Sequence, residues 1–225
     1  MISPLEGSNP SPSAKHSHMT NDLASTFAAL GTATLGESGG RPMAPRIRPV
    51  WPGARVSGPA FPVVCSTADN LAIHVAVAEA PAGSVLVVSV GLEPGRGYWG
   101  EVLTTAAEAR GIAGLVIDGG VRDVDALQAH GFPVFSAMIA LRGATKVESG
   151  RIGRDALVGD VEVVAGDWIV GDTDGVTVVP HGRLEEIRVA GVTRAEREQH
   201  YFEQLKAGRT TLELLGLDAA PIDRE

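Results

Sequence analysis

The chain has 225 residues, 44% of them hydrophobic and 20% charged, enough for one domain with a sizeable core. Lys plus Arg number 19 against 27 Asp plus Glu, and the formal charge of −8 argues against a general binder of nucleic acid or anionic membrane. A single cysteine, Cys65, rules out an internal disulfide and a cysteine-based zinc site. That cysteine usage suggests a reducing, cytoplasmic setting, and apolar runs fall short of the ~18 residues of a membrane span.

In chain order, residues 1–19 read as a disordered tail, rich in Ser, Pro and His without apolar period, and 20–225 as a single domain. His16 and His18 are read there as solvated. Residues 21–30 form a short amphipathic helix that Gly31 stops, and Thr34 opens a second one in a capping-box pattern with Glu37. A Gly/Pro/Arg-rich loop covers 39–54, and 55–65 are β-like, with Pro62 placing them at an edge or strand end. Asp69 caps a helix over 70–80, and a buried strand follows at 84–90. A glycine-rich loop at 91–99 leads to a helix over 100–110, a strand over 113–117, a short helix near 123–130 and a strand at 133–138. Residues 144–180 are β-rich, with runs at 160–164, 168–170 and 176–179, and 184–206 form a charged amphipathic helix. The pattern predicts a mixed α/β domain with a central β-α-β-α-β unit, a β-rich return and a projecting C-terminal helix.

Two places carry candidate chemistry. Gly95-Arg96-Gly97-Tyr98-Trp99-Gly100 fits G-x-G-x-x-G, and Asp118 ends the next strand as a ribose-binding acid would. Against a nicotinamide site stand the extra Gly91-Leu92-Glu93-Pro94 and the bulk of Tyr98 and Trp99 where a pyrophosphate would approach. The same loop leads to a helix N-terminus at Gly100, whose free amides suit a carboxylate or phosphate, and Glu101 lies in that helix's first turn. The second place is Gly119-Gly120-Val121-Arg122-Asp123, at the carboxyl end of a strand. Arg122 can clamp a carboxylate in bidentate fashion, and Asp123 can hold a hard divalent cation. The alternative is that Asp123 caps the following helix and Arg122 pairs at the surface. His74, His130 and His181 read as structural, Asp172-Thr173-Asp174-Gly175 as a β-turn, and Cys65 as a buried apolar residue.

Gly100-Glu101, the stretch ARGIAGLVIDGGVRD at 109–123 and GFPVFS at 131–136 resemble the RraA-like proteins, and within them the class II pyruvate aldolases that act on 4-hydroxy-4-methyl-2-oxoglutarate and 4-carboxy-4-hydroxy-2-oxoadipate. The resemblance runs from about 31 to 217 and includes Gly31-Thr32-Ala33-Thr34 with Glu37, Asp69-Asn70 with His74, Gly143-Ala144-Thr145-Lys146, 166–180 and 207–218. It implies a swivelling β/β/α fold, assembled as a trimer or a dimer of trimers with sites between subunits. It implies Asp123 as the metal ligand for Mg²⁺ or Mn²⁺ and Arg122 as the residue that binds the pyruvyl carboxylate of a 2-oxo acid. Backbone amides through Gly100, Glu101, Val102 and Leu103 would bind the same group, and Glu101 stands where the family orients water at the metal. Glu37 and a glutamate of the C-terminal helix would come from a neighbouring subunit; Glu196, Glu198 and Glu203 compete, and Glu198 is the choice. Gly36 departs from the His of the aldolase subgroup, and 143–146 depart from its Gly-Thr-x-Lys spacing.

The lysine count agrees with a metal. Cleavage beside a 2-oxo acid leaves a pyruvate enolate, whose charge needs an imine or a Lewis acid. Lys15, Lys146 and Lys206 are the only lysines; the first and last lie in the tail and near the end of a surface helix, and nothing around Thr145-Lys146-Val147-Glu148 suggests the burial that an imine-forming Lys146 would need. The expectation is a divalent-metal aldolase with oxaloacetate decarboxylase activity. The alternative from another class is an RraA-type protein-binding regulator of ribonucleases, and a nicotinamide oxidoreductase ranks last.

Overall fold

The computed structural model describes residues 12–223, with side chains from residue 22 onward. Helix α1 (Pro12–Glu37) takes in residues 12–19, so the tail expected over 1–19 is helical in its second part, while 1–11 lie outside the described residues. Between Pro12, at the first helical position where a missing N–H costs nothing, and Gly31, no residue breaks a helix. Gly31 has φ 77 and ψ 168, a conformation open to glycine alone, and it splits α1 into the two helices expected. The second one is not started by Thr34. The buried Asp172 accepts hydrogen bonds from Thr32 N (2.9 Å) and Thr32 Oγ1 (2.7 Å), a cap supplied from 140 residues away.

Ten strands form one sheet among the described residues. Its order is β1 (Arg41–Pro42), β12 (Gly175–Val179), β11 (Trp168–Asp172), β3 (Val56–Cys65), β4 (Val85–Val90), β6 (Gly114–Val121), β7 (Val134–Ile139) and β2 (Arg48–Pro49). The short β5 (Gly97–Trp99) pairs with β6, and β8 (Gly150–Ile152) pairs with β3. A separate hairpin joins β9 (Asp155–Val158) to β10 (Val161–Val164). Strands β3, β4, β6 and β7 run parallel, joined through α2 (Leu71–Glu79), α3 (Glu101–Ala109) and α4 (Val124–His130). The expected β-α-β-α-β unit is its β4-α3-β6-α4-β7 part, extended at the front by β3 and α2.

Pro62 does not mark an edge. β3 is central, and its outer side changes partner from β11, along 56–59, to β8, along 63–65. The Ala60 N–H points to that side and donates to Asp167 O at 2.7 Å; Pro62, two residues on, takes part through its carbonyl, which accepts the Gly153 N–H at 2.8 Å.

Alternate residues of the parallel strands fill two cores. Leu86, Val88, Leu115 and Ile117 pack under the three helices with Ile73, Leu103 and Leu127. Val85, Val87, Val116 and Phe135 face the other way, onto Ile169, Val178 and the β9–β10 hairpin. The sheet curls around this second core, which is why its strands are apolar on both faces. A third cluster buries Phe27 and Leu35 of α1 against Trp168, Val179 and Ile187 of α5 (Leu184–Lys206). A short α6 (Thr211–Leu215) carries a complete capping box from Thr210 and Glu213.

Candidate active site

β6 runs four residues beyond its expected end, and β5 replaces part of the expected loop. Both differences lie beside glycines, in the loop pattern 91–99 and at Gly119-Gly120. Glycine is needed there for contact: a Cβ on Gly120 would stand 2.5 Å from Arg96 O and from Ala140 Cβ. Tyr98 and Trp99, at the heart of the G-x-G-x-x-G pattern, are fully buried. Trp99 Nε1 donates to Thr104 Oγ1 at 2.7 Å, and its ring stacks on Phe132 at 5.9 Å. Asp118 is bound to Arg46 (2.6 Å) and to Gly159 N (2.9 Å). The residues that would cradle a dinucleotide thus serve the core and a surface clasp.

The extended β6 delivers Arg122 and Asp123 beside the start of α3. Asp123 adopts the left-handed conformation, φ 59 and ψ 39, uncommon for a residue with a side chain. As expected it precedes a helix, α4, but its side chain does not cap that helix. The carboxylate turns instead to α3, where Oδ2 accepts the Glu101 N–H at 3.0 Å. Gly100 makes room, since a Cβ there would lie 2.3 Å from that oxygen. Arg122 Nε lies 3.8 Å from the same Oδ2. The amides of Val102 and Leu103, left free by helix geometry, have no partner among the described residues.

These groups face a cleft of about 180 Å³. Gly100, Val102, Leu103, Arg122 and Asp123 all line it, so the structure brings these sequence candidates together. Glu101 does not line the cleft: its N–H is taken by Asp123, and its carboxylate extends toward α4, with Oε1 3.6 Å from His130 Nε2. Glu37 and Glu198 do not line the cleft. Both pair with Arg194 on the α1–α5 face, Glu198 at 2.8 Å.

The far wall was not singled out by chemistry in the sequence. Gly143, Ala144 and Lys146 form it with Asn70, the N-cap of α2, and His74 within that helix. Asp69 holds the wall together. Buried to 1% exposure, it accepts from Leu71 N (2.8 Å) through Oδ1, and from Thr145 Oγ1 (2.8 Å), Val147 N (2.7 Å) and Glu148 N (3.1 Å) through Oδ2. Burial pushes this carboxyl up, but the donors from Leu71, Val147, Thr145 and Glu148 together outweigh it and lower its pKa to about 2. The N-cap of α2 is Asn70, not Asp69 as expected; Asp69, one residue earlier, accepts the first amide of the helix, and the same carboxylate anchors the 145–148 loop.

His74, read from sequence as a satisfied core residue, is not one. Among the described residues its Nε2 is buried without a partner, as is Asn70 Oδ1. Burial, then the nearby Lys146 charge, push the His74 pKa down, with Asp69 opposing. Each orphaned atom costs roughly 1–3 kcal/mol if left unsatisfied. A signal was present in the sequence, since Asn70 and His74 are one helical turn apart, but nothing in the spacing reveals that β5 and the 143–146 loop close over them.

Among the described residues no group of three or more His, Cys, Asp or Glu forms a metal cluster. A lone carboxylate suits Mg²⁺ or Mn²⁺, hard ions that keep several waters, and does not suit zinc. Asp123 fits that role: Oδ2 takes the Glu101 N–H, Oδ1 is unengaged within the described residues, and the side chain is 41% exposed. No helix among the described residues is long and apolar enough to cross a membrane.

The family described as RraA-like, Aldolase/RraA, matches residues 21–178. A protein of Halalkalibacterium halodurans named "Putative 4-hydroxy-4-methyl-2-oxoglutarate aldolase" is 34% identical over 168 residues, 74% of this chain and 80% of that one. A crystal structure of an uncharacterized protein from Pseudomonas syringae pv. tomato superposes with a TM-score of 0.76 at 25% identity, covering 95% of this chain and 98% of the other. The RNA-processing inhibitor RraA from Thermus thermophilis shares the fold with a TM-score of 0.58 at 24% identity, over 72% of this chain and 92% of that one.

Proposed function

This chain belongs to the RraA-like family, and from that premise we propose that it is a divalent-metal-dependent aldolase. It would cleave 4-hydroxy-2-oxo acids such as 4-hydroxy-4-methyl-2-oxoglutarate to pyruvate and a second oxo compound, and decarboxylate oxaloacetate. The observation that carries the reading is the left-handed Asp123, whose carboxylate is held by the Glu101 amide beside Arg122 in a cleft that opens on unpartnered amides. The aldolase name of the relative that is 34% identical supports the substrate class.

Each group has a part. The free Val102 and Leu103 amides, at the positive end of α3, receive the substrate carboxylate, and the Arg122 guanidinium clamps it from the β6 side. Asp123 would hold Mg²⁺ or Mn²⁺, which supplies Lewis-acid stabilisation of the enolate charge. Gly100 keeps the Asp123 carboxylate against the helix start, and the Glu101 amide fixes its orientation. Lys146, exposed and on the cleft wall, offers a point charge to a second carboxylate. Glu37 and Glu198 stand away from this chain's own cleft, joined through Arg194, which supports a role toward a neighbouring copy in a trimer or dimer of trimers.

The test is pyruvate release from oxaloacetate and from 4-hydroxy-4-methyl-2-oxoglutarate, with Mg²⁺ and with chelator. Metal-dependent release that Asp123→Ala abolishes is the expected result. Release that survives both chelator and Asp123→Ala overturns the metal reading, and no release from folded wild-type protein overturns the aldolase. The regulator reading rests on a likeness that shows the fold alone, and it leaves the free groups of the cleft unused.

A further inference from the structure

We infer that Asn70 and His74 form a hydroxyl-recognition subsite on α2 that makes the cleft selective for the 4-hydroxylated substrate; this deepens the aldolase reading and rests on it. Asn70 is 5% exposed and lines the cleft. Its Nδ2 donates to Tyr98 O at 2.8 Å, which fixes the amide's orientation and leaves Oδ1 as the group without a partner. One turn further along, His74 lines the same cleft, and its Nε2 is likewise buried and unpartnered. Asn70 is the N-cap of α2 and His74 stands one turn further on, so the two side chains lie on neighbouring levels of the same cleft wall.

The chemistry of the pair selects its ligand. Asn70 Oδ1 can only accept, so it needs a donor and opposes a carboxylate or a ketone oxygen. His74, held toward its neutral form by burial and by Lys146, offers one ring nitrogen that can donate. An alcohol satisfies both, donating to Asn70 and accepting from His74. A carboxylate or carbonyl satisfies only His74. A 4-hydroxy-2-oxo acid carries such an alcohol two carbons from the keto group, whereas oxaloacetate has none. A site built to bond a hydroxyl rejects an analogue without it because its buried polar groups stay unpaired.

The two reactions of the proposed enzyme therefore separate the subsite from a structural role. The experiment compares kcat/KM for 4-hydroxy-4-methyl-2-oxoglutarate cleavage and for oxaloacetate decarboxylation in wild type, His74→Phe, His74→Gln and Asn70→Ala, all with Mg²⁺. Aldol cleavage should fall by roughly 10- to 100-fold in His74→Phe and Asn70→Ala, with decarboxylation changed less than about threefold. His74→Gln, which restores a donor of similar reach, should recover part of the loss. Parallel losses in both reactions, or no loss in either, overturn the subsite while leaving the aldolase standing. Wild-type protein inactive on both substrates overturns the aldolase and the subsite with it. Asn70→Ala also loses the bond to Tyr98, so the His74 variants, which keep it, decide the matter if that protein does not fold.

Discussion

Replacing Asp69 by asparagine removes the charge that ties the 145–148 loop to the start of α2. The carboxylate accepts four hydrogen bonds, one through Oδ1 and three through Oδ2, at 1% exposure. An asparagine has one oxygen. If that oxygen serves the loop, its NH₂ faces the Leu71 N–H, and if it serves Leu71, the NH₂ faces Thr145, Val147 and Glu148. Either way at least one buried donor loses its acceptor and the remaining bonds lose their charge assistance, a cost of about 2–4 kcal/mol. The pKa gives an independent magnitude. A folded value of about 2 against an ordinary 3.8 corresponds to about 2 kcal/mol of stability. Because the folded value is the lower one, that stability is fully present above the ordinary value and is lost as pH falls through the folded one, so the window lies between about pH 4 and pH 2. Urea unfolding followed by tryptophan fluorescence, at one protein concentration, measures both effects. Asp69→Asn should lose about 2–4 kcal/mol at neutral pH, or roughly 6–12 °C in a thermal scan. It should also lack the wild type's extra fall across the acid window. A variant within about 0.5 kcal/mol of wild type, or with an identical acid slope, refutes the anchoring role.

Three further substitutions probe the site and its support. Gly100→Ala drives a methyl to 2.3 Å from Asp123 Oδ2, so the carboxylate must move; pyruvate release should fall by about 100-fold, with a stability cost of about 1–3 kcal/mol. Unchanged turnover would show that the Asp123 position does not matter. Arg122→Lys keeps the charge and loses the bidentate fork, so KM should rise and kcat fall, for about a 10- to 100-fold loss in kcat/KM. An unchanged kcat/KM refutes the clamp. Gly31→Ala forces a side chain into φ 77 and ψ 168, with its Cβ 3.2 Å from Asp172 Oδ2, and should cost about 1–3 kcal/mol by denaturation without changing KM.

How far the sequence revealed this molecule depended on whether side chains carried the signal. The charged amphipathic run at 184–206 is α5 to the residue, and the apolar run at 84–90 is β4 within one residue. The stretches misread as loop, β5 and the last four residues of β6, hold Gly97, Gly119 and Gly120 where neighbouring atoms leave no room for a Cβ, and this close backbone approach is announced by no periodicity. Pro62 was misleading because its effect depends on which neighbour faces the missing N–H, a tertiary fact. Within the site, Arg122 and Asp123 were legible because two charged residues stand at the end of an apolar strand. Asn70 and His74 were not, because an Asn before an apolar helix and a His within it look like a cap and a core residue. Only the meeting of α2, β5 and the 143–146 loop leaves their atoms without partners.

The cleft also concentrates features that work against stability. Asp123 holds a left-handed conformation, and among the described residues Val102 and Leu103 keep free amides and Asn70 and His74 bury polar atoms without partners. Such costs persist where a ligand repays them, since an apolar or self-satisfied arrangement would fold more stably. A surface that only docks another protein needs a shape and a hydrophobic patch, with no requirement for a strained acid beside orphaned amides. The free groups also sort by chemistry across the cleft. Cationic Arg122 and the α3 amides suit a carboxylate, Asp123 suits a hard cation, and the neutral pair on α2 suits an alcohol. A 4-hydroxy-2-oxo acid bound with one divalent ion presents all three, and oxaloacetate presents all but the last. The ratio of the two rates, measured across the His74 variants, therefore tests whether this sorting is chemical or accidental.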